Sequence, residues 1–151
     1  IALKKYTQLN VYAIDVFEEA LKQAKKNACK NNTDVNFYLF DILSNENNII
    51  PHVDFIISNP PYVVDNEVSK ESNIHAEPAS AIFVSKKEPL IFYDAIFRFA
   101  NKKLNSGGVI FLEINPLQIN QLLLLINSYG YSEFKIHNDF SGKKRFIVVT
   151  S

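Results

Sequence analysis

The tetrapeptide Asn59-Pro60-Pro61-Tyr62 has the residue types of a loop that binds a planar amino group. It follows an apolar run, residues 53–58, which predicts a buried strand. Because proline lacks a backbone donor and biases the preceding residue to an extended conformation, we expect a stiff loop at the carboxyl end of that strand. The Asn59 side chain and the loop carbonyls can accept hydrogen bonds from an NH₂ group, and the Tyr62 ring can cover its face. Asn59, Pro60 and Tyr62 are therefore the candidate catalytic residues and Pro61 completes a candidate substrate-binding loop, the alternative being a proline-stiffened turn without a chemical role.

Two aspartates follow two other predicted strands. Asp15 comes after the apolar run Val-Tyr-Ala-Ile, and Asp41 comes after Val-Asn-Phe-Tyr-Leu-Phe. In a doubly wound sheet, an acid at the end of the second strand accepts hydrogen bonds from ribose hydroxyls. We interpret Asp15 in this way, with Val16 beside it. Asp41 could accept from an adenine amino group, with Ile42 against the ring. For both aspartates the alternative is a helix N-cap or a solvated loop acid.

The elements that must position these residues alternate between strands and helices. Strands that alternate with helices predict an α/β fold with a mostly parallel sheet, and a turn signal between the last two strands predicts an antiparallel strand at one edge. Residues 63–88 are polar without a clear period, as in long functional or disordered loops. Helices are predicted over residues 17–31, 89–104 and 116–126, and strands over residues 10–14, 35–40, 53–58, 109–114, 132–137 and 145–150.

Composition limits the class of protein. The chain has 151 residues and a net charge of zero, so it shows no basic excess for gripping a long stretch of nucleic acid. A single cysteine, Cys29, excludes a disulfide framework and favours a reducing, cytoplasmic location; we expect it to be a small packing residue. No apolar stretch is long enough to cross a membrane. No metal-site spacing is present, so His52, His75 and His137 are interpreted as solvated, as is the turn at residues 143–145.

Several segments together resemble the HemK/PrmC family, the glutamine methyltransferases of peptide chain release factors. One is the strand and loop that end in the Asn-Pro-Pro-Tyr tetrapeptide, and another is the strand-helix-strand pattern that carries Asp15 and Asp41. The others are Glu77-Pro78 and the tail from Asp139 through Gly142 to Arg145. The tetrapeptide alone is shared with adenine and guanine amino methyltransferases. The last two segments favour the glutamine enzymes.

The resemblance implies a Rossmann-like class I methyltransferase fold, with residues 1–151 forming part of the catalytic domain. It also implies that the enzyme transfers a methyl group to the side-chain amide of the glutamine in a release factor's Gly-Gly-Gln motif. The family's first strand and glycine-rich cofactor loop have no counterpart in this sequence, and we expect them upstream of Ile1. The cofactor is S-adenosylmethionine, and the residues that the resemblance assigns to it are Asp15, Val16, Asp41, Ile42 and Asn59.

Two other functions are consistent with the same residues. The first is a DNA or RNA methyltransferase that acts on the amino group of a flipped adenine or guanine; the neutral charge counts against nucleic acid as a direct substrate. The second is a non-catalytic Rossmann-like binding module. The glutamine reaction itself requires no metal and no covalent nucleophile, because the cofactor's methyl group is already electrophilic.

Overall fold

The computed structural model of the chain describes residues 8–44, 50–64 and 83–151. Contacts within the chain divide it into two compact units, residues 1–50 and residues 51–151. The alternation of strands and helices expected from the sequence is confirmed. The strands are β1 (Tyr12–Asp15), β2 (Asn36–Leu39), β3 (Val53–Ser58), β4 (Val63–Val64), β5 (Phe83–Val84), β6 (Leu104–Glu113), β7 (Glu133–Asn138) and β8 (Lys144–Thr150). The helices are α1 (Glu18–Lys30), α2 (Ile91–Lys103) and α3 (Ile119–Ser128), the last preceded by a 3₁₀ turn (Pro116–Gln118).

The first unit is a strand-helix-strand motif. β1 and β2 pair in parallel, with Asp15 opposite Leu39, and α1 connects them. Leu21 and Ala28 are the buried residues of α1. Cys29, which the sequence suggested as a packing residue, is exposed instead, because the neighbouring Ala28 takes the inward position on the helix.

The second unit is built on a four-stranded sheet with the order β3-β6-β8-β7. β3 and β6 are parallel, whereas β8 is antiparallel to both of its neighbours. The expected antiparallel strand is therefore present and lies beside β7, the edge strand. The segment 63–88, expected to be irregular, contributes the short parallel pair of β4 and β5; its residues 65–82 lie outside the described ranges.

One face of this sheet forms the main core. Alternate residues of β6 and β8 point to the same side, as the period of a strand requires, and these side chains are buried: Ile110, Leu112, Ile147 and Val149. Helix α2 contacts β6 and also α3, so both helices cover this side. Phe111 and the β3 residues Phe55 and Ile57 belong to the other face and are exposed.

The apolar spacing of α2 predicted a buried face that includes Ala95, Ile96 and Ala100, and these three residues are buried. Phe92 and Phe99, which the same spacing placed on that face as core residues, are only half-buried. Phe97 is 0% exposed instead. Its ring centroid lies 5.9 Å from that of Tyr129 and 5.6 Å from that of Tyr131. The aromatic residues of α2 fall on two neighbouring faces of the helix, and the two tyrosines that follow α3 pack against Phe97.

The described parts of the chain contain no helix that is both long enough and apolar enough to cross a membrane.

Two leucines of α3 provide a matched test of this core. Leu122 is 1% exposed and Leu124 is 71% exposed, and both replacements by alanine make the same change in helix propensity. Leu122→Ala should lower the free energy of unfolding by about 2–5 kcal/mol, since it leaves a cavity. Leu124→Ala should change it by about 0.5 kcal/mol or less. Urea unfolding of the two variants measures the difference, and equal losses would contradict this orientation of α3.

Candidate functional site

The Asn-Pro-Pro-Tyr loop begins where β3 ends. Ser58, the last residue of β3, lies opposite Leu112 of β6. The Asn59 side chain is exposed, whereas Pro60 is buried. The loop is thus anchored by its prolines and presents its amide outward, as the sequence predicted for a loop at the carboxyl end of a strand.

Tyr62 is held at two points by residues of β6 and of the segment that follows it. Its hydroxyl donates a hydrogen bond to Glu113 Oε1 at 2.6 Å. Its backbone carbonyl accepts one from Asn115 Nδ2 at 3.2 Å. Arg145 Nη1, from β8, donates to the same hydroxyl at 3.4 Å. The loop is therefore tied to β6 and β8, and both the phenol and the backbone of Tyr62 have fixed positions.

Arg145 is in turn oriented by the turn between β7 and β8. Its Nε donates to Asp139 Oδ2 at 3.3 Å. Asp139 Oδ1 accepts from the Ser141 hydroxyl at 2.6 Å and from the Lys143 amide at 3.0 Å. The sequence interpretation of residues 143–145 as a solvated turn is right for Lys143 and Lys144, which are exposed, and wrong for Arg145, which is half-buried. The bond to Asp139 draws the guanidinium inward.

Burial and hydrogen bonds shift the pKa values of several groups in and around this cluster. The pKa of Tyr62 is raised by burial and by the bond to Glu113, with Arg145 opposing the rise, so the hydroxyl remains a donor at neutral pH. Burial also raises the pKa of Tyr93, whose hydroxyl donates to the backbone carbonyl of Glu113 at 3.0 Å. The bonds from Ser141 and Lys143 lower the pKa of Asp139 to about 2, which keeps a negative charge beside Arg145.

The two aspartates of the first unit lie at the same edge of its sheet. Phe40, at the end of β2, donates its amide to the Asp15 carbonyl at 2.9 Å, and this bond brings the turns after β1 and β2 together. Asp15 Oδ1 accepts from the Phe17 amide at 2.9 Å. Asp41 Oδ1 accepts from the Leu43 amide at 2.9 Å. Neither aspartate is the N-cap of α1, a position that Phe17 occupies. Each side chain organises its own turn with one oxygen and directs a carboxylate to the edge of the sheet.

The remaining candidate residues are found neither in the cluster around Tyr62 nor beside the two aspartates of the first unit. His52 and His137 are exposed. His75 and Glu77-Pro78 lie outside the described residues. Within the ranges that the structure describes, no three His, Cys, Asp or Glu side chains come close enough together to hold a metal ion.

Sequence reasoning missed Glu113 and Asn115. Glu113 is a single acid in the otherwise apolar run 109–114, and a charge in such a run needs a partner when it is partly buried. Asn115 precedes Pro116, which is a helix-start signal, and its Oδ1 does accept from the Leu117 amide at 3.0 Å. Both signals were visible in the sequence, but neither indicated that Tyr62 would be the partner.

The fold is that of solved methyltransferases. A methyltransferase from Pyrococcus furiosus matches 97% of this chain with a TM-score of 0.70 at 22% identity, over 65% of its own length. A SAM-dependent O-methyltransferase from Thermotoga maritima matches 94% of this chain with a TM-score of 0.63 at 15% identity, over 49% of its length. The architecture of the chain is thus the class I methyltransferase fold expected from the resemblance.

The sequence match is more specific. Residues 1–77 match the family described as methyltransferase small domain, and the chain belongs to that family. Proteins named release factor glutamine methyltransferase from Flavobacterium psychrophilum and Bacteroides thetaiotaomicron are each 33% identical, over 97% and 96% of this chain. The chain spans about half the length of these relatives, 52% and 53%. The resemblance read from the Asn-Pro-Pro-Tyr loop and the tail is confirmed.

The low pKa of Asp139 can be tested by carboxyl ¹³C NMR. We expect titration at about 2, and Ser141→Ala should raise the pKa toward its ordinary value of 3.8, because the Ser141 hydroxyl is the largest contributor. Since folding lowers this pKa, the stability that it contributes is present above pH 3.8 and is lost as the pH falls through about 2. Ser132→Ala, at an exposed serine outside the turn, is the control; an equal shift in both variants would contradict the assignment.

Proposed function

We propose that this chain is part of the catalytic domain of an S-adenosylmethionine-dependent methyltransferase, and that its substrate is the Gly-Gly-Gln glutamine of a peptide chain release factor. The observation that carries the proposal is the Asn-Pro-Pro-Tyr loop, which presents an exposed Asn59 side chain at the end of β3 while Tyr62 is fixed by Glu113. Membership of the methyltransferase small domain family and the names of the two bacterial relatives support it. Such a substrate implies a cytoplasmic location.

The loop suits the capture of a primary amide. The Asn59 side-chain oxygen and the Pro60 carbonyl would each accept one N–H of the substrate glutamine. Pro61 contributes no N–H that could compete for these acceptors. Tyr62 would pack against the plane of the amide. Two acceptors and a ring would fix the nitrogen in place and in orientation, which lowers the entropic part of the barrier to reaction.

Orientation matters because the lone pair of an amide nitrogen is delocalised into its carbonyl. When bound, the cofactor would supply an electrophilic methyl group, whose bond to sulfur would break as the bond to the amide nitrogen forms, and the nitrogen would release one proton to solvent. The acceptors at Asn59 and Pro60 would stabilise the positive charge that develops on the nitrogen.

The first unit has groups that fit the ribose and adenine of S-adenosylmethionine. Asp15 uses Oδ1 for the turn, and among the described residues Oδ2 has no hydrogen bond, so it is available to ribose hydroxyls. Val16 is exposed beside it. Asp41 and the half-buried Ile42 are assigned to the adenine amino group and ring on the same grounds.

The test uses the full-length protein and labelled S-adenosylmethionine. The substrates are a release factor, the same factor with its Gly-Gly-Gln glutamine replaced by alanine, and bulk DNA and RNA. We expect label on the intact factor and none on the altered one. Label on nucleic acid would instead assign the loop to a base amino group, and S-adenosylmethionine binding without any transfer would favour a binding module.

Asn59 supplies the sharpest variant. Asn59→Ala removes one acceptor from the developing charge and should reduce the rate of methyl transfer about 100-fold or more, while the cofactor dissociation constant stays nearly the same. Asn120→Ala is the control, because Asn120 is an exposed asparagine of α3. Single-turnover rates and cofactor titrations measure the two effects, and an Asn59→Ala enzyme with most of its activity would refute the role.

A further inference from the structure

Tyr62 is contacted by two residues of the sheet of the second unit and by one residue that lies just after β6. Glu113 ends β6, Asn115 follows it, and Arg145 lies near the start of β8. β6 and β8 are hydrogen-bonded neighbours, and the Ile114 amide donates to the Arg145 carbonyl at 2.8 Å. The contacts to Tyr62 therefore come from adjoining strands whose relative position the sheet already fixes.

The charged side chains around the Tyr62 phenol are linked to one another by ion pairs. Arg145 Nη1 lies 4.0 Å from Glu113 Oε1, and the two side chains are 27% and 25% exposed. A carboxylate that is this far removed from water is stabilised by a nearby cation and a hydrogen-bond donor, and Arg145 and the Tyr62 hydroxyl supply them. Asp139 binds the Nε side of the guanidinium, 3.3 Å away, and this contact orients the Nη1 side toward Tyr62 and Glu113.

Fixing Tyr62 also fixes the loop before it. Pro60 and Pro61 have restricted φ angles, so little freedom remains between the end of β3 and the ring of Tyr62. The hydroxyl is bound to Glu113 and the carbonyl to Asn115, so rotation of the ring breaks the first bond and a shift of the backbone breaks the second. The position of the Asn59 and Pro60 acceptors then depends on the bonds to Tyr62.

We propose that Glu113 and Arg145 are positioning residues for methyl transfer, which hold Tyr62 and thereby set the geometry of the amide-binding loop. This inference rests on the proposed function. Neither residue touches the substrate amide: Glu113 acts through the Tyr62 hydroxyl, and Arg145 acts through both Glu113 and Tyr62. Asp139 supports them through the guanidinium of Arg145.

The kinetic test compares variants of the full-length protein with labelled S-adenosylmethionine and a release factor. Glu113→Ala and Arg145→Gln should lower kcat about 10- to 100-fold, the size of effect expected when a reacting group is misplaced by a fraction of an ångström to one ångström. KM for the release factor and the cofactor dissociation constant should not change. Glu113→Gln, which keeps an acceptor for the Tyr62 hydroxyl, and Arg145→Lys, which keeps the charge, should each restore part of kcat.

Arg98→Gln is the matched control. Arg98 also forms an ion pair with an aspartate, with Nη1 3.7 Å from Asp94 Oδ2, but it lies on α2. Removing it changes the charge of the same unit by the same amount, and kcat should stay at the wild-type value. The positioning role would be overturned if all the arginine variants lost activity. It would also be overturned if the loss appeared in KM, or if it followed a fall in Tm.

A second readout does not depend on activity. Among the residues that the structure describes, the charged groups that face the Tyr62 hydroxyl are Glu113 and Arg145, and they act on its pKa in opposite directions. With ¹³Cζ-labelled tyrosine, Glu113→Gln should lower the pKa of Tyr62 relative to the wild type, Arg145→Gln should raise it, and Arg98→Gln should leave it in place. If the release factor is not methylated, the proposed function fails, and these shifts still decide whether the two residues hold Tyr62; a Tyr62 pKa that does not respond to either change overturns the proposal.

Discussion

The parallel pairing of β3 with β6 is the constraint on which the rest of the second unit depends. It sets Ser58 opposite Leu112, so that Glu113, the last residue of β6, becomes a neighbour of Tyr62, in the loop that follows β3. The buried side chains of Ile110 and Leu112 fix that register, because a slip of one residue would turn the core face of β6 outward. The same slip would turn Glu113 to the opposite face of the sheet. Core packing and site geometry are thus specified by one strand pairing.

Two charged side chains of the site, Asp139 and Arg145, keep their charges at neutral pH. Asp139 has four hydrogen bonds to its carboxylate, from the backbone and side chain of Ser141, the backbone of Lys143 and Arg145. Its negative charge orients an arginine, which has no second protonation state at ordinary pH. The arginine lies beside a carboxylate whose hydrogen bond comes from a phenol with a raised pKa. The pKa of Asp139 is lowered and that of Tyr62 is raised, so both shifts move away from neutral pH, and these two side chains contribute a fixed charge and a fixed hydrogen-bond donor.

The sequence predicted the elements better than the contacts between them. β3 was expected over residues 53–58 and is found there. Its apolar run is followed by Asn-Pro-Pro, and the two prolines end the strand because they have no backbone N–H. The start of β6 was placed too late, at residue 109, since Leu104 already pairs with Val53, and the polar and glycine residues that follow it form an irregularity before the pairing resumes at Val109. The loop residues of the site could be named because they are adjacent in the chain. Glu113 and Arg145 lie 51 and 83 residues from Tyr62, and no local pattern encodes a contact at such a separation.

The turn that links β7 to β8 is constrained by the ion pair between Asp139 and Arg145. Asp139 and Arg145 are six positions apart, and the bonds from Ser141 and Lys143 to Asp139 depend on the same short path. Phe140, at the tip, is fully exposed, with 114% relative exposure, and contributes no packing. The geometry therefore leaves the residue at the tip unconstrained, whereas an insertion or deletion of one residue between the aspartate and the arginine would separate the pair. The contacts of this hairpin thus constrain its length more than the identity of its tip residue, the reverse of what is usual for a surface loop.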